Sequence, residues 1–549
     1  LKKLSIFIGI IVILSMVLMS CGKTSTTPTQ TSKPPTSTTS VSTPTSTASP
    51  TLEYPWSTVP SSGLTPKSGG TLKIIVGAPS NLGGVPWLGN TPPDLWYACP
   101  VTETLLITDV KGNLAPRLAT SWTVAPDYKS ITFKLKEGVR FHDGTDFNAE
   151  ALKYLFEMNA KSTMPELKSI TSVDVVDTYT AKVNVTLYSP SMMTLLAVGR
   201  AGWIVSPTAL KSAAKLEDMM LNPVGTGPFK FQEYKRDVYV KFVKNNDYWQ
   251  PGKPYLDGIE YQIIADSVTA LLTFRKGDAD VNYNVVQKDA YDLKGEGYNV
   301  TSAQASIYQW APSSADPNSP WANVDVRRAV QYAIDTQTMA KTQGFGWADG
   351  YYNQVFPKGN PAYNPDIVGY PYDPAKAKEL LAKAGYADGF KTTLFDTSPP
   401  VGDLAAATQN YLKQVGIDAE IKPLPGPAYF EANLKGWDGL FRTQSVASLG
   451  ADPGYQMSIY LSSPPTAWVS VARPADMTAL LTAATNELDL PKRQALYRDL
   501  CKNIIDTNCL IISVWGGYLL AAKQKYVMDD NIRTLWTMTW TPETAWLNK

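Results

Sequence analysis

The chain has 549 residues, with 50 Lys plus Arg against 49 Asp plus Glu and a formal charge of +1. Such a balance lacks the basic excess that marks a nucleic-acid-binding protein. His142 is the single histidine, which excludes His–Zn–His sites, HExxH peptidases, and any Ser–His–Asp or Cys–His arrangement not built on His142 itself.

Lys2 and Lys3 give the chain a positive start, and residues 6–19 are almost wholly apolar. That is the length of a signal-peptide core and short of the roughly 20 residues that span a bilayer. Leu1 is read as a non-Met start or a trimmed end. Leu18-Met19-Ser20-Cys21 resembles the bacterial lipobox, in which the peptide is cut before the Cys and the thiol carries a diacylglycerol. Residues 1–20 are then a signal peptide and Cys21 a lipid anchor; the alternative is an uncleaved anchor with an incidental Cys. From Thr24 to Thr51 only Gln30, Lys33, Val41 and Ala48 interrupt Ser, Thr and Pro. Ordering such a segment costs entropy with nothing to bury. Residues 21–67 therefore read as a tether, able to reach several tens of Å at about 3 Å per residue.

From Ser68 onward the length predicts two or three domains, and no later apolar run is long enough to cross a membrane. The first strand is Thr71 to Val76, after Gly69-Gly70. Cys99 has no CxxC partner. Ile131 to Leu135 and Tyr179 to Leu187 alternate as strands, with Ala181, Val183, Val185 and Leu187 on one face. Between them Asn148 caps a helix carrying Leu152, Leu155 and Phe156. Val238 to Val243 is another strand. Asp325 is placed to cap a helix with Val326, Ala329, Val330, Ala333 and Ile334 on one stripe. In the stretch Gly344 to Gly350 the third Gly falls one place late for a dinucleotide turn, and no apolar strand leads into it. Asp373-Pro374 starts a helix with Ala377, Leu380, Leu381 and Ala384, ended by Gly385.

Strand Lys391 to Phe395, helix Leu404 to Val415 and strand Asp418 to Ile421 form a βαβ unit, hence parallel pairing in an α/β lobe. A last helix, about Pro491 to Ile505, leads into strand Leu510 to Val514. Cys501 and Cys509 flank its end and read either as a disulfide or as two reduced core thiols. No phosphate loop of the GxxxxGK-S/T type is present. Two carboxylates far apart in sequence would suffice for a glycosidase, so that class stays open. The 15 Trp and 29 Tyr supply core, and also line pockets for sugars and peptides.

Several segments in order match one family. Residues 101–157 contain Leu118-Ala119-Thr120-Ser121-Trp122, the run Phe133 to Gly144 ending in Phe-His-Asp-Gly, and Ala149-Glu150. They are followed by PVGTGPFKF (223–231), NNDYWQPGKPYLDGIEY (245–261), DVRRAVQYAID (325–335) and YDPAKAKELLAKAGY (372–386). This resembles the extracellular solute-binding proteins of the peptide/nickel class (family 5), the capture subunits of ATP-driven (ABC) importers. The resemblance covers nearly everything from Gly69 to Val514. It implies an α/β, two-lobe, periplasmic-binding-protein-like (type II) fold with an extra subdomain inserted in lobe one. Carried onto this chain, lobe one is about 68–304 plus 511–549, with the insertion near 111–223, and lobe two is 305–510. Hinge strands are expected near Ser302 to Ser306 and Ile511 to Trp515. His142 falls in a turn that is scaffold in this family.

The resemblance also implies a binding protein rather than an enzyme. It implies no catalytic residue, metal or cofactor, a monomer, and permease subunits as partners; with the lipobox at Cys21, the protein is expected to be lipid-anchored at the outer face of the cytoplasmic membrane. In the family's peptide binders an Asp three residues before an Asp-Pro or Glu-Pro step receives the peptide's amino terminus. Here the step is Asp452-Pro453 and Leu449 stands in that place. A buried ammonium without a partner costs several kcal/mol, which argues against ordinary free peptides. The ligand-binding residues expected at the cleft are Trp96, Tyr97, Trp203, Tyr308, Trp310, Trp437, Arg442 and Tyr455, with Trp347, Tyr351 and Tyr352 bordering it. A peptide-like solute, another small organic solute and an oligosaccharide all suit such aromatics.

Overall fold

The computed structural model describes residues 62–549 apart from 80, 89–93, 109–112, 163–166, 187, 284, 399–402, 447–451, 466 and 533–539. The expected signal peptide, Cys21, nearly all of the tether, and Leu449 lie outside the described residues. Among the described residues, no helix is long and apolar enough to cross a membrane.

Strand β1 (Thr71–Val76) comes where the sequence puts it and buries Leu72, Ile74, Ile75 and Val76. A separate antiparallel sheet follows, made of β2 (Ala119–Val124), β3 (Ser130–Leu135), β4 (Ile170–Asp177) and β5 (Thr180–Val185) in the order β2-β3-β5-β4. Its alternating residues Ile131, Phe133, Ala181 and Val183 are buried together with Leu152, Leu155 and Phe156 of helix α1 (Ala149–Lys161). Asn148 caps α1 as expected, its Oδ1 accepting the Ala151 N–H at 3.0 Å. Helix α2 (Pro190–Val198) is buried at all nine positions, as a helix apolar on every side must be.

The later elements used below, in chain order, are β6 (Phe229–Lys235), β7 (Tyr239–Lys244), β8 (Gly258–Ile263), β9 (Val281–Asn282), β10 (Asn299–Pro312), α3 (Val324–Ala333), α4 (Pro374–Lys383), β11 (Phe390–Ser398), α5 (Leu404–Gln414), β12 (Ile417–Pro425), β13 (Leu440–Val446), α6 (Gly454–Leu461), α7 (Leu490–Lys502) and β14 (Ile512–Lys523). Ten strands form one sheet in the order β6-β7-β8-β1-β9-β14-β10-β13-β11-β12, and the short strand Ala348–Gly350 joins β14. The βαβ unit is as read: β11 and β12 are parallel from Phe390↔Ile417 to Ser398↔Pro425. The cap of α3 differs from expectation. Asn323, not Asp325, is the N-cap, its Oδ1 accepting the Asp325 N–H at 2.9 Å. Asp325 sits instead in the first turn, where it suits the helix dipole and pairs with Lys383 at 2.8 Å.

Strands β10 and β14 join the two halves of the sheet. They run antiparallel from Asn299↔Lys523 to Trp310↔Ile512, with irregularities at Gln304/Ser306 and Tyr308/Gln309. One end of the pair carries β9 through Val281↔Lys523. The other carries β13 from Ser306↔Val446 to Pro312↔Leu440. Both expected hinge segments lie in these strands but not opposite each other. Ser302 to Ser306 face Leu520 to Gly517, whereas Ile512 to Trp515 face Trp310 to Tyr308.

The family motifs prove to be joints of the scaffold. Glu103 is fully buried and accepts from Arg117 Nε (3.3 Å), Thr226 Oγ1 (2.8 Å), Tyr248 Oη (3.0 Å) and Trp249 Nε1 (2.9 Å). One carboxylate therefore ties the segments around 103, 226 and 248, and its lone pairs are satisfied as burial requires. In α3, Arg327 donates to the carbonyl oxygens of Trp321, Asn508 and Cys509 at 2.6–2.9 Å. Gln331 exchanges two 2.8 Å bonds with the Ser513 backbone on β14. Cys501 and Cys509 are both free and buried, and burial pushes both thiols up, away from thiolate chemistry.

His142 donates from Nε2 to the Gly227 carbonyl at 2.9 Å, and its Nδ1 is buried without a partner. Burial lowers its pKa to about 4 from 6.5. The unfolded chain takes up this proton near pH 6.5 and the folded chain only near pH 4. Stability from the neutral ring is thus complete above pH 6.5 and falls on acidification to pH 4, by up to about 3 kcal/mol. His142→Gln should flatten that part of the profile. Urea midpoints of both proteins between pH 4 and 7 check this, and parallel profiles would refute it.

Candidate functional site

The parallel strands β11 and β13, in register at Leu394↔Leu440 and Phe395↔Phe441, bring Asp396 and Thr397 beside Arg442. In open α/β sheets the space beyond the carboxyl ends of parallel strands is where ligands settle. Arg442 Nε lies 2.5 Å from Asp396 Oδ1 with both side chains almost fully buried, and its Nη2 donates to Thr397 Oγ1 at 3.0 Å. Asp396 Oδ2 is buried and takes no hydrogen bond, and the Nε contact is an ion pair without the alignment of a hydrogen bond. The guanidinium lies 5.9 Å from the Tyr308 ring centre and 5.8 Å from that of Tyr429, within cation–π range. Tyr429 donates its hydroxyl to the Arg442 carbonyl at 2.7 Å. Burial pushes the Tyr429 hydroxyl up to about 12 against the pull of Arg442. Tyr308 is raised for the same reason, with the same opposition.

On the neighbouring strand β14 two glycines make room for rings. A Cβ at Gly516 would lie 2.5 Å from Tyr351 Cε2, and one at Gly517 would lie 2.9 Å from Tyr308 Cε2. Tyr308 also meets Trp515 at 5.2 Å between ring centres. The cluster thus combines aromatic faces, one guanidinium–carboxylate pair and a hydroxyl. It is suited to holding a polar solute by charge and stacking. Among these described residues no nucleophile faces a base, and the described residues contain no group of side chains fit for a metal.

The structure brings Tyr308 and Arg442 together and puts other expected ligand residues into cores. Trp310 is fully buried beneath α5, with Nε1 donating to Thr408 Oγ1 at 3.0 Å. Trp437 stacks on Phe441 at 4.5 Å and donates to the Ala311 carbonyl at 3.0 Å. Trp96 is stacked on Tyr283 at 3.8 Å and on Trp540 at 5.1 Å, with Tyr97 against its edge. Trp310, Trp437 and Trp96 each pack within a separate buried cluster, so packing accounts for them. Trp203 is buried in the short strand pairing with Glu103–Thr104. Tyr455 lies in α6, and its side chain is outside the described residues. Asp396, Thr397, Tyr429 and the two glycines were missed. The place of Asp396, just past the apolar part of a strand in a βαβ unit, was the available signal.

A two-lobe α/β fold of the type II periplasmic-binding class is what this architecture defines, and solved structures share it. The periplasmic binding protein DppA of Helicobacter pylori, in complex with the peptide STSA, superposes with a TM-score of 0.76 at 25% identity over 88% of this chain and 99% of that one. NikA from Brucella suis, in complex with Fe(III)-EDTA, gives 0.74 at 24% identity over 85% and 98%. The chain belongs to the bacterial extracellular solute-binding proteins, family 5, whose middle region matches residues 113–468. A glutathione-binding protein, GsiB of Shigella flexneri serotype 5b, is 35% identical over 321 residues, which are 57% of this chain and 62% of that relative.

Removing one member of the buried pair leaves an uncompensated charge. Arg442→Met should cost about 3–5 kcal/mol, whereas Arg442→Met combined with Asp396→Leu should recover most of that loss. Urea denaturation of the two variants decides it; a double variant no more stable than the single one would contradict the pairing.

Proposed function

We propose that this protein is the membrane-anchored capture subunit of an ATP-driven (ABC) importer and closes as a monomer on a peptide-like solute. The lobes are assigned as 68–304 plus 511–549, with the insertion near 111–223, and 305–510. The observation that carries the proposal is the β10/β14 crossing, beside which Arg442, Tyr308 and Tyr429 gather. The assigned boundary falls at the irregularity between Gln304 and Ser306. A solute touching both lobes favours closure because only the closed form makes both sets of contacts. Tyr308 and Tyr429 flank a guanidinium whose charge Asp396 balances, which suits a polar solute with a face to stack, as a small peptide provides. Glutathione, for which one relative is named, and STSA, held by a solved neighbour, are peptides. Permease subunits are the partners this role requires, and Cys21 is the assigned anchor.

Calorimetric titration with glutathione, di- and tetrapeptides and malto-oligosaccharides tests the reading. A peptide-like solute is expected to bind and to be recovered uncleaved. The double variant Arg442→Met/Asp396→Leu should bind it about ten- to a hundred-fold more weakly. Binding of oligosaccharides alone, or their cleavage, would replace this reading with a sugar-binding protein or an exported glycosidase. Separately, Cys21→Ser should release the protein from membranes; a variant that sediments with them as before would refute the anchor.

A further inference from the structure

Ser191, in the first turn of α2, donates its hydroxyl to Asp452 Oδ1 at 3.3 Å, across 261 residues of sequence. The acceptor is otherwise held within its own segment. The Gly454 N–H donates to the same oxygen at 2.8 Å. Arg493 Nε lies 2.9 Å from Oδ2 as an ion pair, though not aligned as a hydrogen bond. Arg493 is fixed in turn by donating to the carbonyl oxygens of Glu487 at 2.9 Å and Leu488 at 3.2 Å. Ser191, Asp452 and Arg493 are all buried. Gly454 lets them converge: a Cβ there would stand 2.0 Å from the Tyr497 hydroxyl, 2.8 Å from Asp452 Oδ1 and 2.9 Å from Ser191 Oγ. The segment 452–497 thus presents a finished carboxylate, and one hydroxyl reaches it from residue 191.

On the lobe assignment proposed above, that hydroxyl and that carboxylate belong to opposite lobes. We propose that Ser191 is a positioning residue for solute capture, clasping Asp452 whenever the lobes close. Part of the closing free energy then comes from a contact between protein groups, made whichever solute is bound. Apparent affinity equals intrinsic affinity scaled by the fraction of protein in the competent state. A hydroxyl lost from a buried, charged acceptor should lower the closing equilibrium constant about ten-fold. The inference rests on the lobe assignment and not on the solute class.

Hydrogen exchange of the full chain without added solute tests it. Ser191→Ala should speed exchange about ten-fold in both segments 188–198 and 452–461, and by the same factor, because one opening event uncovers both. Ser191→Thr keeps the hydroxyl and should restore protection, and the melting temperature should stay at the wild-type value. Unchanged exchange in either segment would overturn the clasp. So would a rise spread over the whole chain with earlier melting, since that marks an ordinary packing contact. With no solute in the experiment, such a failure leaves the peptide reading untouched, and a solute panel without a peptide-like hit leaves the clasp standing.

Discussion

The antiparallel pairing of residues 299–312 with 512–523 is the constraint on which the rest depends. Every strand of the main sheet hangs from one end or the other of this pair. Its register decides which side chains of the first half meet which of the second, because a slip of one residue would turn every side chain to the other face. That register is held from outside the ladder as well. Gln331 grips the Ser513 backbone from a neighbouring helix, and Arg327 grips the carbonyls just before the strand begins.

The segments that were easiest to read were those whose job is to hold the chain together. Periodicity placed the helices carrying Leu152 and Leu380, and the βαβ unit emerged with its parallel pairing intact. The motif residues Glu103, Thr226 and Trp249 meet on one carboxylate, which explains why they announce the fold and say little about cargo. The site was harder to read because an indole looks the same in a pocket and in a core. Trp310 is a core residue because of contacts distant in the chain, such as Thr408, nearly a hundred positions away, which takes its N–H. The length of the last long strand was hidden for a related reason. The strand was expected to end at Val514, yet it runs on through Gly516-Gly517, where two tyrosine rings need the room.

Three arginines are buried against a carboxylate where segments meet: Arg117 with Glu103, Arg442 with Asp396, Arg493 with Asp452. Such pairs contribute little net stability, since desolvation offsets most of the attraction. What they impose is geometry, because a misplaced partner leaves a bare charge in a dry interior. Asp452 has a further effect on recognition. Its carboxylate is already committed to Arg493 and Gly454, so the negative charge of the Asp-Pro step is spent within its own segment.

The stack of Trp96 on Trp540 has a consequence for the order in which the molecule assembles. Its indole-to-carbonyl contact spans 444 residues of sequence, so the first core remains unfinished until nearly the whole chain is present. The segment from 313 to 511 contains the βαβ unit and forms its local contacts early, while closing the longest loops comes late and slowly. A chain that postpones its first core in this way completes it only once its far end is present, so that core reports on the integrity of both ends of the fold at once.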